Sequence, residues 1–311
     1  MELPRPGNSG CKSGLLTLGI VLCVLLFSSQ DRDPIGVLLD RAADNARRYT
    51  DAMRNVTAEE VRLTELFDKS GNVSQRRKTV SDLVVHTAGS ETLAEFRNVR
   101  EVDGKAIKGG EGRLEDLLRK LSSTDSLTNE LEIIDLESSR YDLGDMRMKG
   151  MALNQAWPLE VDRFRRTAQF TREATETVSG HTTIVIRYEM AGLAESPQTR
   201  SLVELVKPSR LFSRGRVWID SETAEIWRYE TETMVQETPQ SEPLAWDRME
   251  FDYVPSSFGI PIPRKIVWVS NSTVSREKGR LKLSLKGRVT AEYGMFKRFG
   301  TEIKIVPVGV Q

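Results

Sequence analysis

The chain is poor in the residues that most chemistry needs. Among 311 residues it has two cysteines, Cys11 and Cys23, and both lie ahead of Gln30. A chain that loses this segment keeps no disulfide, thiol nucleophile or thiolate metal ligand. The only histidines are His86 and His181, too few for a multi-histidine metal site within one chain. Charge of neither sign is in excess: 45 Lys and Arg balance 45 Asp and Glu, so the basic footprint of a nucleic-acid binder is missing from the totals. Neither histidine has a G-x-S-x-G neighbour. The Gly109-Gly110-Glu111-Gly112 stretch has no lysine and no strand–loop–helix setting for phosphate. Calcium-loop and zinc spacings are also missing. Carboxylate pairs such as Glu59 and Glu60, or Glu91 and Glu95, are expected by chance among so many acids. The expectation is a protein with no catalytic residues, no metal and no cofactor. An exported hydrolase using carboxylates stands as a lesser alternative.

Long apolar runs are also scarce. The one present, Gly14 to Phe27, follows a polar start with Arg5 and Lys12 and precedes Ser28-Ser29-Gln30. It is shorter than the roughly 20 residues of a spanning helix and has the layout of an export signal. Residues 1–30 therefore read as a signal peptide, with an uncleaved anchor as the alternative, and residues 31–311 as a single domain in the periplasm or cell envelope. Membrane contact is then transient or made through the N-terminal segment. Lipidation at Cys23 is disfavoured, because Leu22 stands where a small residue is needed.

The remaining chain alternates. Asp33-Pro34 opens a helix with apolar residues at Ile35, Leu38, Leu39, Ala42, Ala46, Tyr49 and Met53, a three-and-four spacing that gives one packed face. Strands with period-2 patterning are predicted at 56–67, 75–87 and 92–102, separated by glycine-containing turns. Helical spacing returns at 111–121 and 126–138. Met146, Met148 and Met151 then form a cluster that reads as core filling. Further strands are predicted at 164–178 and 182–190, then in the hairpin Arg214 to Met234, and at 248–254, 265–270, 281–293 and from Phe296 to Val306. A strand or short helix is expected at 201–206, and a long loop at Val235 to Trp246 with Pro239 and Pro243. The sum is roughly eleven strands with few helices, alternating as antiparallel sheets with one solvated face do. The predicted fold is α+β: a strongly curved antiparallel sheet, an incomplete barrel, with helices packed on its concave side.

Aromatics make up 7% of the chain, yet Trp218, Trp227, Tyr229, Phe251, Tyr253 and Trp268 fall on successive strands of its last third. They are the candidate lining of an apolar ligand cavity. A sheet–helix core or cross-strand aromatic pairs would use the same residues. Trp218 alternates with Val217 and Ile219, so at most part of the set shares one cavity.

Several segments resemble an uncharacterised group of exported bacterial proteins of the acidobacterial type: Asn55-VTAEEVR, Arg77-KTVSDLVVH, Phe96-RNVREVDGKAI, Arg214-GRVWIDSETAEIWRYE, Arg248-MEFDYVPSSFGIPIPRKI and Tyr293-GMFKRF. More distantly, the layout is similar to the LolA/LolB-type lipoprotein carriers. That resemblance implies a half-barrel whose helices close over an apolar cavity for acyl chains. It implies a carrier of a lipid, a lipoprotein or another apolar ligand, with an acylated or envelope protein as possible partner. The alternative is a structural or interaction module whose barrel is filled by its own side chains. The middle helices and the 235–246 stretch depart from the compact carriers.

Overall fold

The computed structural model of the chain describes residues 34–88, 92–108, 116, 119, 126–148, 150–153, 159, 162–191 and 197–298. The expected export signal lies outside them. So do the Gly109–Gly112 stretch, all of the expected 111–121 helix but Asp116 and Arg119, and the chain after Arg298.

Helix α1 spans Pro34–Ala52 and buries Leu38, Leu39, Ala42, Ala43, Ala46 and Tyr49, the face that the spacing predicts. Asn55, at φ 56°, takes the left-handed turn that delivers the chain into the sheet. The strands are β1 (Val56–Phe67), β2 (Val73–Ala88), β3 (Thr92–Val102), β4 (Lys105–Ala106), β5 (Ala168–Val178), β6 (His181–Ala191), β7 (Arg210–Asp220), β8 (Ile226–Gln236), β9 (Leu244–Val254), β10 (Ile262–Ser270), β11 (Thr273–Glu277), β12 (Arg280–Ser284) and β13 (Gly287–Arg298). Among the described residues, further helices are α2 (Leu127–Ser138), α3 (Asp162–Thr167) and α4 (Pro197–Val206).

Eleven strands form one open antiparallel sheet in the order β4-β3-β2-β1-β13-β10-β9-β8-β7-β6-β5. Two meanders, β1–β4 and β5–β10, are joined by the last strand, which pairs with β1 on one side and β10 on the other. The barrel is therefore incomplete, with β4 and β5 as free edges. The β5 edge is protected by a bulge between Arg172 and Ala174 and by a mostly polar sequence. Helix α1 lies on the concave face. Three of its alanines, Ala42, Ala43 and Ala46, are fully buried, and their size lets the helix approach the sheet closely. Helix α2 packs on Ala94, Phe96 and Val84, on the sheet face opposite Leu83 and Val85. From there Ser138 receives the Arg97 backbone N–H at the open edge of β3.

The structure differs from the sequence reading at several places, and Phe296 continues β13 rather than opening a strand of its own. Residues 164–167 belong to α3, and the strand begins only at Ala168, because Asp162-Arg-Phe-Arg-Arg-Thr has no alternation to hold it in a sheet. The supposed long loop at Val235–Trp246 shrinks to 237–243, since β8 runs to Gln236 and β9 starts at Leu244, with both prolines confined to the turn. The run from Leu281 to Tyr293 is two strands. Leu281 and Leu283 belong to the small β11–β12 hairpin and pack with Leu202 and Val206 of α4, while β13 starts at Gly287. A bulge in the β7–β8 pair places Ile226 in the core beside Trp227 rather than on the opposite face.

Candidate functional site

The concave face has two halves of different chemistry. On β6 to β10 its floor is apolar: Ile186, Val217, Ile219, Trp227, Tyr229, Phe251 and Ile266 are all buried under α1. The helix is held by the Asp40–Arg165 ion pair at 2.8 Å, by Arg298 on the Ala52 carbonyl at 2.9 Å, and by three side chains of its own. Arg41 donates to the Glu222 carbonyl, Asn45 Nδ2 donates to the Thr223 carbonyl at 3.0 Å, and Tyr49 Oη donates to the Ala152 carbonyl at 2.6 Å. The first two acceptors sit in the β7–β8 turn. That turn is held open for them by Asp220, whose Oδ1 accepts the Glu222 and Thr223 N–H groups at 2.8 Å each. Burial alone would raise the Asp220 pKa, but those N–H groups and His181 hold it below the ordinary carboxylate value. His181 Nδ1 lies 3.0 Å from Asp220 Oδ2, and its ring stacks on Trp227 at 3.9 Å between centroids. This histidine is a structural strut. The side chain of His86 is outside the described ones.

On β1 to β3 the same face adds ionic groups beside the apolar Val56, Ala58, Leu83 and Val85. Arg97 Nε meets both Glu60 oxygens at 2.9 and 3.0 Å, its Nη2 donates to Glu95 Oε2 at 2.8 Å, and its Nη1 donates to the Met148 carbonyl at 2.9 Å. Arg62 pairs with Asp142 at 2.5 Å. Desolvation would push the Glu60 carboxyl up, but the Arg97 and Arg62 guanidiniums and the Tyr293 hydroxyl hold it below its usual value. Burial raises Asp142, against the pull of Arg62. Residues 139–148 and 150–153 lie over this half as a strap. Arg77 Nη1 binds the Tyr141 and Asp142 carbonyls at 3.2 Å, Leu153 N–H donates to Glu95 at 2.9 Å, and Lys286 pairs with Asp145. Met146 and Met148 of the strap are buried in the core, as the sequence suggests, and Met151 packs against it.

Of the six aromatics singled out in the sequence, the structure brings four together. Trp227, Tyr229, Phe251 and Tyr253 line the floor beneath α1, with Tyr253 edge-on to Tyr49 at 6.1 Å. Trp218 lies on the convex face, under the Arg228 guanidinium at 5.1 Å and bonded through Nε1 to Glu176 at 2.8 Å. Trp268 stands apart at the rim, its Nε1 donating to Asp247 at 3.2 Å. There it helps to line an open cleft of about 360 Å³ with Met146, Leu202, Leu205, Trp246 and Lys286. A second cleft of about 420 Å³ opens at the C-terminal end of α1, between Tyr49, Arg48, Ile226 and Ile260.

The sequence reading missed Trp246, Leu202 and Leu205, and missed the ionic cluster. A signal for the cluster was there. Glu60, Arg62 and Thr64 continue the inward phase of Val56 and Ala58 along β1, so charged residues occupied positions reserved for the core. Buried carboxylates with shifted pKa can mark an active site, but these are closed in and spent on ion pairs. Among the described residues no group of His, Cys, Asp and Glu could hold a metal, and no helix is long and apolar enough to cross a membrane.

No family model matches the chain, and no curated protein does. Solved structures do. A LolA superfamily protein from Nitrosomonas europaea is 10% identical at a TM-score of 0.33, over 85% of this chain and 96% of that one. A DUF1329 family protein from Desulfovibrio piger is 10% identical at 0.29, over 90% and 96%. The MucA/MucB complex of Pseudomonas aeruginosa is matched at 10% identity and 0.20, over 83% and 99%. Likenesses this remote carry over no ligand, partner or residue role.

Proposed function

We propose that this chain is an exported, non-enzymatic binding protein of the cell envelope, formed as one domain after removal of its N-terminal segment, that takes an apolar ligand such as the acyl part of a lipid or lipoprotein. The observation that supports this reading best is the rim cleft of about 360 Å³, with Trp246, Trp268, Met146, Leu202 and Leu205 around it. Its volume falls at the lower end of the roughly 300–1,000 Å³ of small-molecule sites. Its lining is half apolar and half polar, the polar half being Asp145, Asp247, Ser270, Ser272 and Lys286. The floor aromatics Trp227, Tyr229, Phe251 and Tyr253 serve this reading only if α1 moves, since the helix covers them. Trp218 has no part in it.

A second reading is favoured by one specific observation: the concave face is filled by α1 and the strap. On that reading the protein is an interaction module that needs no ligand. The two separate in one experiment. The protein, produced with its native N-terminus in a host that exports it, is purified without detergent, extracted with organic solvent and examined for lipid by mass spectrometry. In parallel it is titrated with a fluorescent fatty acid. Co-purified lipid near one per chain, or saturable uptake that quenches the tryptophans, supports the binding protein. A clean apo mass with no uptake refutes it and leaves the interaction module.

A further inference from the structure

A cleft of about 420 Å³ opens at the C-terminal end of α1. Tyr49, Ile226 and Pro261 form its buried walls, with Ala52 and Ile260 half-buried beside them. Its charged residues are Arg48, Asp51 and Glu225, so neither sign prevails there to select a charged ligand. Arg298, the last residue of β13, spans the two sides. Its Nη2 donates to the Ala52 carbonyl at 2.9 Å, and its guanidinium lies 5.2 Å from the ring of Phe258, which adjoins Gly259 and Ile260 of the cleft. The chain beyond Arg298 thus starts within one arginine side chain of the cleft.

The sequence of that segment suits the walls. Residues 299–311 include six large apolar side chains, Phe299, Ile303, Ile305, Val306, Val308 and Val310, against one glutamate and one lysine. Segments that stay in solvent are poor in such residues and rich in charge of one sign. Left uncovered, an apolar run of this kind is an aggregation hazard. Glu302-Ile303-Lys304-Ile305 also alternates, so an extended segment puts both isoleucines on one side and both charges on the other. At no more than about 3.6 Å per residue, Ile305 can reach up to roughly 25 Å from Arg298.

We propose that the chain's own segment after Arg298 occupies this cleft, with Ile303 and Ile305 seated against its walls and Glu302 and Lys304 turned to solvent. The segment thereby fastens the end of α1 to the loop between β9 and β10. This goes beyond the reading of the chain as a binding protein and stands without it. It places control of the concave face in the segment after Arg298. Helix α1 covers Trp227, Tyr229, Phe251 and Tyr253, and release of the segment frees the end of that helix.

The test uses the chain from Asp31 onward, which has no cysteine. Ile305→Cys is combined with Ile260→Cys in the cleft or, as a control, with Val73→Cys, which is 43% exposed and pairs with Phe67 at the far end of β1. In a glutathione redox buffer the cleft pair is expected to form a disulfide within one chain, read by intact mass, about tenfold faster than the control or more. Without added cysteines, the paired variant Ile303→Ser with Ile305→Ser is expected to speed hydrogen exchange of the α1 amides about tenfold, while those of β8 keep their rate. A cleft pair that links no faster than the control, a disulfide formed between two chains, or α1 exchange that stays at the wild-type rate in the paired variant overturns the proposal. An equal rise in β8 marks a global loss of stability rather than release of α1 and overturns it as well.

Discussion

Removing the Arg97 side chain should cost more than any other single change in the polar half. In Arg97→Met the Glu60 and Glu95 carboxylates lose their shared counter-charge while remaining buried. The Met148 carbonyl loses its donor as well. Breaking a buried pair from one side costs about 3–5 kcal/mol, because a charge is left without compensation. At about 2–4 °C per kcal/mol for a chain of this size, the melting temperature should fall on the order of 10 °C. The pH dependence should also change sign. In the wild type the Glu60 pKa is lowered in the folded state, so its contribution is present above the unfolded carboxylate value and is lost as pH falls through the folded one. In the variant, burial opposed only by Arg62 and the Tyr293 hydroxyl pushes the Glu60 carboxyl up. The folded state then binds more protons than the unfolded one, and stability rises as pH is lowered from 7 towards 5. Urea unfolding at pH 7 and pH 5 checks both points. A loss under about 1 kcal/mol at pH 7, or parallel pH profiles for the two proteins, would refute the assignment of Arg97 as the charge that holds this half together.

Three further outcomes follow from particular contacts. Gly215→Ala would put a Cβ 2.0 Å from the Glu230 backbone oxygen and 2.8 Å from the Tyr188 ring, so the β7–β8 pair must part, and thermal melts should show a loss of several kcal/mol or no folded protein. Gly287→Ala would meet the Met146 sulfur at 2.7 Å, a flexible neighbour, so the loss should be about 1–3 kcal/mol, and it should largely vanish in a Met146→Ala background, which is itself less stable, so that a double-mutant cycle in urea returns most of it as coupling. Asp220→Ala takes the acceptor from two N–H groups in the turn that holds α1, which should cost about 1–3 kcal/mol at pH 7. Because the Asp220 pKa is lowered on folding, the gap to wild type should narrow as pH falls through its folded value.

Much of the sheet was legible because its strands alternate cleanly and its turns contain glycine or Asp-Gly. Strands β1 and β3 begin and end where the pattern places them. Period alone could not see that Leu281 and Tyr293 belong to different strands, since both sides of the break keep the same alternation and only the pairing partners differ. Nor could it see that two prolines confine a turn rather than lengthen a loop. The aromatic set was half legible for a related reason. Residue type marks Trp218 and Trp227 alike, but the faces they occupy depend on register and on the bulge beside Ile226. The ionic cluster was hidden by composition. Glu60 is one of 45 acids, and only its phase along β1 separates it from Glu59, which pairs with Arg100 at half-exposed positions.

The division of the concave face bears on which ligand it could take. A sheet lined throughout by apolar residues would select for chain length and little else, because dispersion and burial are nondirectional. Here the floor changes character across one strand, β13: Ala291 has Ile266 on one side and Arg62 on the other. A ligand crossing that boundary must be apolar at one end and hydrogen-bonding at the other. The covers differ too. On the apolar side the cover is a helix with three fully buried alanines, and on the polar side a strap tied down by side chains of β2, β3 and β13. The ties of α1 are hydrogen bonds with backbone carbonyls and one half-exposed ion pair, Asp40–Arg165, whereas the strap is fastened by the buried Arg62–Asp142 pair and by buried charged hydrogen bonds to Arg97 and Glu95. The helix is therefore the cover that yields first, and hydrogen exchange should be faster in α1 amides than in those of β1 and β2. Slower exchange in α1 than in β1 would mean that the concave face stays closed, and would turn the weight of the physical argument towards the interaction module.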